Sequence, residues 1–374
     1  MRRLLLPVFL LGLFASGVWA ETKTVDPFVM PSARFNALGG RHVTMADDFY
    51  AIFLNPAGFA DVKDQFSAAE ITISTFGPTF EIIDLLREGS GDVEDIDLSG
   101  LVGPGGLSTG VDVGGPLSLG WVGRGFGLGI FSSVKAIASI NGAYFSPKMT
   151  VDLFFAGGYG FRLINKNNNI LDAGFLAKGF FRGTLDMKTT VFSIDSLDPD
   201  DSPFNTNLGF GLDLGIRYTF ADNFSFAVVC YDVYSPVLFT SYDTLSDFFD
   251  GKSQSSSYAT VKRRLDFGVN YRIRSAFLDR YISRFTIMLD YHDLLDLFEL
   301  LPRNAILNAG LGIEVVLLKA LTFRFGLADA LPAVGFGLDL KFMTLDFAVF
   351  GKELGLDPGK HPVYAMSVGL LFRY

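Results

Sequence analysis

Residues 207–220 read NLGFGLDLGIRYTF. Leu208, Phe210, Leu212, Leu214, Ile216, Tyr218 and Phe220 fall on one phase, and Asn207, Gly209, Gly211, Asp213, Gly215, Arg217 and Thr219 on the other. A period of two is a β-strand with one apolar face and one polar or small face. A strand this long and this regular is expected to separate lipid from a polar lumen.

The same alternation recurs along the chain. It is read at 66–75, 116–122, 126–136, 150–162, 171–182, 224–233, 262–274, 284–291, 305–316, 321–328, 334–341, 343–350 and 363–374. In 262–274, Leu265, Phe267, Val269, Tyr271 and Ile273 point one way and Lys262, Arg264, Asp266, Asn270, Arg272 and Arg274 the other. Connections alternate between long (76–115, 137–149, 183–204, 234–258, 292–303, 351–361) and short (123–125, 163–170, 221–223, 317–320, around Phe342). Outer-membrane barrels have long extracellular loops and short periplasmic turns, so the expected fold is all-β, an antiparallel transmembrane barrel of about fourteen strands.

Composition supports this reading. Mean hydropathy is +0.34 and 49% of residues are hydrophobic, yet no stretch after Ala20 offers eighteen uncharged apolar residues. Apolar content is therefore spread over short segments, as in a barrel where every second residue meets lipid. The 39 Phe, 13 Tyr and 41 Gly fit interfacial girdles and a curved sheet. A net charge of −9 argues against nucleic acid. Cys230, the single cysteine, lies on an apolar phase and reads as a small lipid-facing residue.

The two ends carry their own signals. Arg2, Arg3, the apolar run 4–18 and the small-residue site ending at Ala20 form a signal peptide over residues 1–20. At the other end Gly369, Phe372 and Tyr374 close the chain in an aromatic strand like the one the outer-membrane assembly machinery recognises.

One stretch fits neither strand nor spanning helix: residues 33–62, ARFNALGGRHVTMADDFYAIFLNPAGFADV. Thr44 and Asp47 have capping-box spacing, so a short helix is expected from near Met45, with Phe49, Ile52 and Phe53 on one side and Pro56 as its end. A fourteen-strand barrel leaves a lumen that needs filling, and this stretch is the expected plug. The chain then divides into a signal peptide (1–20), an N-terminal hatch (21–62) and a barrel (63–374).

The blocks Leu38-Gly39-Gly40-Arg41, Ala46-Asp47-Asp48 and Asn55-Pro56-Ala57-Gly58 resemble, in content and order, the hatch of the FadL-type outer-membrane long-chain fatty acid transporters, a superfamily with PorV-like secretion barrels and spirochaete outer-membrane proteins among its relatives. The resemblance implies uptake of hydrophobic compounds, gated by Asp47, Asp48, Asn55, Pro56, Ala57 and Gly58. It implies no enzyme activity, no cofactor and no metal. Phe35, Phe49, Phe53 and Phe59, with Leu238, Phe239, Phe248 and Phe249 of a loop, are candidates for apolar contact with a fatty acid-like ligand. Arg162 and Arg182, with Arg264 and Arg272, are candidates for its charged end, or else pair with Asp152, Asp172, Asp213 and Asp266. Expected partners are outer-membrane lipids, the hydrophobic ligand and the assembly machinery, with the protein a monomer and both mature termini periplasmic. The alternatives are a PorV-like scaffold for other envelope proteins and a general small-solute porin. His42, His292 and His361 are scattered, and no hydrolase or zinc motif occurs. Asp195, Asp198, Asp200 and Asp201 read as a hydrated loop rather than a calcium site.

Overall fold

The computed structural model describes residues 23–46, 48–78, 106–190, 193, 197–274 and 281–373. The signal peptide, Asp47, Asp195, Tyr374 and much of the expected long connection 76–115 lie outside the described residues. The chain forms a closed antiparallel barrel of 14 strands. The strands are β1 (Gln65–Phe76), β2 (Leu107–Gly123), β3 (Phe126–Asn141), β4 (Tyr144–Lys166), β5 (Asn169–Asp186), β6 (Phe204–Phe220), β7 (Phe224–Tyr234 with Pro236–Tyr242), β8 (Ser255–Val261 with Arg264–Arg272), β9 (Ile282–Tyr291), β10 (Ala309–Leu317), β11 (Leu321–Ala328), β12 (Leu331–Asp339), β13 (Met343–Glu353) and β14 (Pro362–Arg373). Each pairs with its neighbours in order, and β14 closes onto β1 from Ala365↔Phe76 to Arg373↔Ser67. Closure removes every sheet edge, which a structure immersed in hydrocarbon requires.

The alternation read in 207–220 is the two faces of β6. Leu208, Phe210 and Ile216 are exposed on the outside, while Asp213 and Arg217 are buried within. Near the short turns, aromatic pairs such as Phe126–Tyr159 (4.6 Å) and Phe224–Tyr271 (6.4 Å) form an interfacial band.

Two expected loops are wall. Residues 137–149 are the continuing hairpin of β3 and β4, paired out to Asn141↔Tyr144. Strand beyond the membrane needs no apolar face, so its alternation fades and reads as loop. Residues 234–258 contain Pro236–Tyr242 and Ser255–Val261, which carry β7 and β8 onward; both halves of β7 pair with β6. The phase breaks there because Asp232 takes a positive φ of 55° and Arg263 turns aside to donate to the Val233 carbonyl at 2.8 Å. Leu238 and Phe239 are thus strand residues. In β2 a register shift between Gly114 and Ser118 hides the strand's first half, with the Leu117 N–H donating to Ser132 Oγ at 2.8 Å. β10 starts later than expected because Ala305–Asn308 is a 3-10 turn capped by Asn304.

Residues 26–62 run inside the barrel. They form two short helices, α1 (Ala33–Ala37) and α2 (Ala51–Leu54), and a 3-10 turn, Pro56–Ala60. No helix begins at Met45: Thr44 Oγ1 is buried without a hydrogen-bond partner. The wall holds that backbone instead, with Arg217 donating to the Ala46 carbonyl at 2.9 Å and Asp290 accepting the Val43 N–H at 2.8 Å. Ahead of it, Lys23–Val25 pairs in parallel with Ala259–Val261, on the half of β8 toward the long loops. Arg373 is at the opposite, short-turn end, where its N–H bonds to the Phe342 carbonyl. Lys23–Val25 and Arg373, the first and last described parts of the chain, thus lie at opposite ends of the barrel, rather than on one side as expected.

Candidate functional site

Glycines on the inward faces of the strands form slots for the inserted segment. A Cβ on Gly174 would lie 2.3 Å from the Pro56 carbonyl oxygen, one on Gly127 2.3 Å from the Phe59 ring, and one on Gly120 2.5 Å from the Phe49 ring. On the far wall, Gly326 would meet the Gly39 nitrogen at 2.1 Å and Gly335 the Ala37 Cβ at 2.5 Å. Within the segment, Gly58 passes so close to Ala46 that a Cβ would sit 2.2 Å from its carbonyl oxygen. Inward glycine thus serves backbone-to-backbone approach, beyond the relief of curvature expected from composition.

Asn55 is fully buried. Its Oδ1 accepts the Ala57 N–H at 2.9 Å and its Nδ2 donates to the Val43 carbonyl at 3.1 Å, so one amide ties the Pro56–Ala60 turn to the turn at Val43 and Thr44. Pro56 supplies the fixed φ that opens that turn, and its missing N–H costs nothing at a first position. Asp48 pairs with Arg34 and accepts the Tyr50 N–H at 3.0 Å.

His42 pins the segment to β9. Nδ1 lies 2.6 Å from Asp290 Oδ2 and Nε2 2.9 Å from the Leu38 carbonyl. Both partners are acceptors, which an imidazolium alone satisfies. Burial opposes that charge, but Asp290 and the Leu38 carbonyl outweigh it and raise the His42 pKa from its ordinary value.

The hatch aromatics differ in place. Phe49 and Phe53 pack on Phe131, with centroids 5.9 and 4.6 Å away, and Phe59 fills the slot at Gly127 and Gly158. Phe35 faces a cavity of about 620 Å³ on the long-loop side of the segment. Polar cavities of about 240 and 250 Å³ lie on the short-turn side. The candidate arginines are paired: Arg162 with Asp172 (2.8 Å) and Asp61 (2.7 Å), Arg182 with Asp152 (2.6 Å), Arg264 with Asp266 (3.0 Å). Asp213 takes Lys178 at 2.7 Å. Arg272 also has a partner. Phe248 packs on Phe204 at 4.8 Å in the loop after β7, away from the cavity.

Sequence reasoning missed Arg41. Its guanidinium sits 5.7 Å from the Tyr231 ring centroid, on a ring that Arg264 also overlies at 4.5 Å, and among the described residues it takes part in no hydrogen bond or ion pair. Burial, with the Arg264 charge beside it, lowers its pKa to about 10, so it stays a cation at neutral pH. It borders the large cavity, as do Lys135, Lys148 and Lys352, which likewise form no ion pair among the described residues. The available signal was a charge inside a stretch expected to be buried.

No family model matches the sequence, and no curated protein does. Solved structures do. CymD, a monoaromatic hydrocarbon channel, is similar with TM-score 0.53 at 12% identity, over 94% of this chain and 99% of its own. The Pseudomonas putida toluene transporter TodX gives 0.46 at 10% identity over 94% and 99%, and a Pseudomonas aeruginosa FadL homologue 0.43 at 12% over 94% and 98%. Identities this low speak to the fold, and the comparison with CymD carries it. These similar barrels are channels and transporters rather than enzymes. The chain accordingly shares the barrel fold of the hydrocarbon channel CymD.

Proposed function

We propose that this protein is an outer-membrane channel for uptake of hydrophobic compounds, long-chain fatty acids among them, and that the N-terminal segment gates it. The observation that carries this reading is the character of the large cavity. Met30, Phe35, Phe76, Ile137 and Phe350 give it apolar wall, and Arg41, Lys135, Lys148 and Lys352, which form no ion pair among the described residues, give it cations beside the carboxylate of Asp112. A site with apolar wall and a few fixed charges suits an amphiphile with an anionic head. The segment lies between this cavity and the polar cavities of the other side, and Asn55, Pro56, Ala57 and Gly58 are the residues on which its fold turns. The short turns and the C-terminal strand end face the periplasm in this reading, and the barrel works as a monomer.

The test is binding of labelled palmitate and of uncharged hexadecanol to the purified barrel in detergent. A charge-assisted hydrogen bond contributes roughly 1.5–3 kcal/mol, so Arg41→Gln should weaken palmitate binding by about tenfold or more and leave hexadecanol unchanged. Absence of binding of either ligand by the wild type would overturn the reading.

A further inference from the structure

The barrel wall is high on one side and low on the other. β2 to β6 have 17, 16, 23, 18 and 17 residues, whereas β9 to β12 have 10, 9, 8 and 9. About 9–11 tilted residues span the hydrocarbon core. On the low side the wall therefore ends where the hydrocarbon ends, and the 292–308 connection between β9 and β10 begins at the membrane surface. The outward apolar belt reaches up to that level, with Leu289, Leu311 and Leu327 exposed near the loop-side ends of their strands.

The 292–308 connection has the inverse of a hydrated loop's chemistry. Its charges are paired: Lys262 reaches Asp293 and Glu299, both at 3.1 Å, and Arg303 reaches Asp329 at 2.7 Å. Asp296 accepts the Arg303 N–H at 3.0 Å and the Asn308 amide at 3.1 Å. Four of its large apolar residues are exposed, Phe298 at 82%, Leu300 at 96%, Leu301 at 77% and Ile306 at 57%. Leu356 of the connection between β13 and β14, 59% exposed, is tied alongside by the Asn304 N–H to Leu356 carbonyl bond of 2.8 Å.

We propose that the 292–308 connection, with Leu356 beside it, rests in the outer leaflet, its partner being lipid acyl chains. Moving several large apolar side chains from water into acyl chains is favourable, and Lys262 and Arg303 offset part of the connection's negative charge at short range. The patch lies directly above the lipid-facing belt at Leu289, Leu311 and Leu327, which argues for lipid over a protein partner. The same connection supplies His292, Arg303 and Leu307 to the wall of the large cavity, so on this side only one loop separates that cavity from the leaflet.

The experiment uses the full-length protein with Cys230→Ala, carrying Leu300→Cys in one variant and Phe249→Cys in another, each labelled with an environment-sensitive fluorophore and reconstituted in phosphatidylcholine vesicles. Phe249 is 77% exposed in the connection between the two bent strands, on the high side. Heat-modified migration on gels confirms that each labelled barrel is folded. The label at 300 should emit blue-shifted light and lose most of its emission when acyl chains are brominated, while the label at 249 should do neither. Water-like emission at 300 quenched by iodide overturns the proposal. So does blue-shifted emission that brominated lipid leaves intact, which would mean that protein, such as a second copy, covers the patch.

Discussion

Asn55→Ala removes two bonds that nothing nearby can replace. The Ala57 N–H and the Val43 carbonyl are each left facing an alanine methyl in a site with no solvent exposure at residue 55. An unpaired buried group costs about 1–3 kcal/mol. Counting the lower part of that range for each, because the segment can shift, the loss is roughly 2–4 kcal/mol. At 1.4 kcal/mol per decade, the population of segment detached from the wall rises about 30- to 1,000-fold. Barrel strands make none of these bonds apart from a marginal 3.5 Å contact to the Ile216 carbonyl, so the barrel itself should stay intact. Amide hydrogen exchange followed by mass spectrometry in detergent reads this directly. Peptides covering 43–60 should lose protection by that factor, while peptides from β5 and β6 keep theirs. Unchanged protection of 43–60 would show that the Asn55 amide does not hold the segment.

Three further outcomes follow from the same contacts. Because the His42 pKa is raised, its attraction to Asp290 is fully present below the ordinary imidazole value of about 6.5 and is lost as pH rises through the raised value; exchange protection of 41–46, corrected for intrinsic rates, should fall over that rise, and Asp290→Asn should abolish the dependence. Gly174→Ala puts a methyl 2.3 Å from the Pro56 oxygen and 2.7 Å from the Ala57 nitrogen; a misfit of about 1–3 kcal/mol should push the segment off β5 and raise ion conductance in planar bilayers, and a variant as closed as wild type would contradict the slot. Replacing Phe372 and Tyr374 by Asp should leave the protein unassembled in the periplasm, measured by surface labelling of cells; normal surface levels would contradict a role for the terminal aromatics.

Much of the wall was legible because lipid imposes alternation. β11 begins and ends where its apolar phase does, at Leu321 and Ala328, and β6 is extended from the read stretch only at its loop end. Legibility failed above the membrane, where 137–149 and 234–258 have no apolar face to mark them as strand, and at Asp232, where a positive φ shifts the phase. The inserted segment was harder, since its conformation is dictated by the wall: Thr44 has the spacing of a cap, but Arg217 and Asp290 hold the backbone around it in a turn. The Asn55 bond to Ala57 is local and follows from the Asn-Pro pair, whereas its bond to Val43 joins residues that meet only in the fold. Pairing is likewise a property of three dimensions. For Arg162 and Arg182 the sequence left open a ligand's charged end or pairing with inward aspartates, and they pair with Asp172 and Asp152, while Arg41 looks like part of a motif and forms no ion pair among the described residues.

The central claim is a channel that admits a hydrophobic compound while its inserted segment keeps it closed to ions. Reconstituted vesicles with a trapped pH dye and a fluorescent long-chain fatty acid outside test both halves together, comparing wild type with a variant lacking residues 36–58. The wild type should move the fatty acid faster than protein-free vesicles and stay tight to ions, and the deletion should become ion-conducting. A wild type that moves fatty acid no faster than bare lipid, or a deletion that remains ion-tight, would contradict the account.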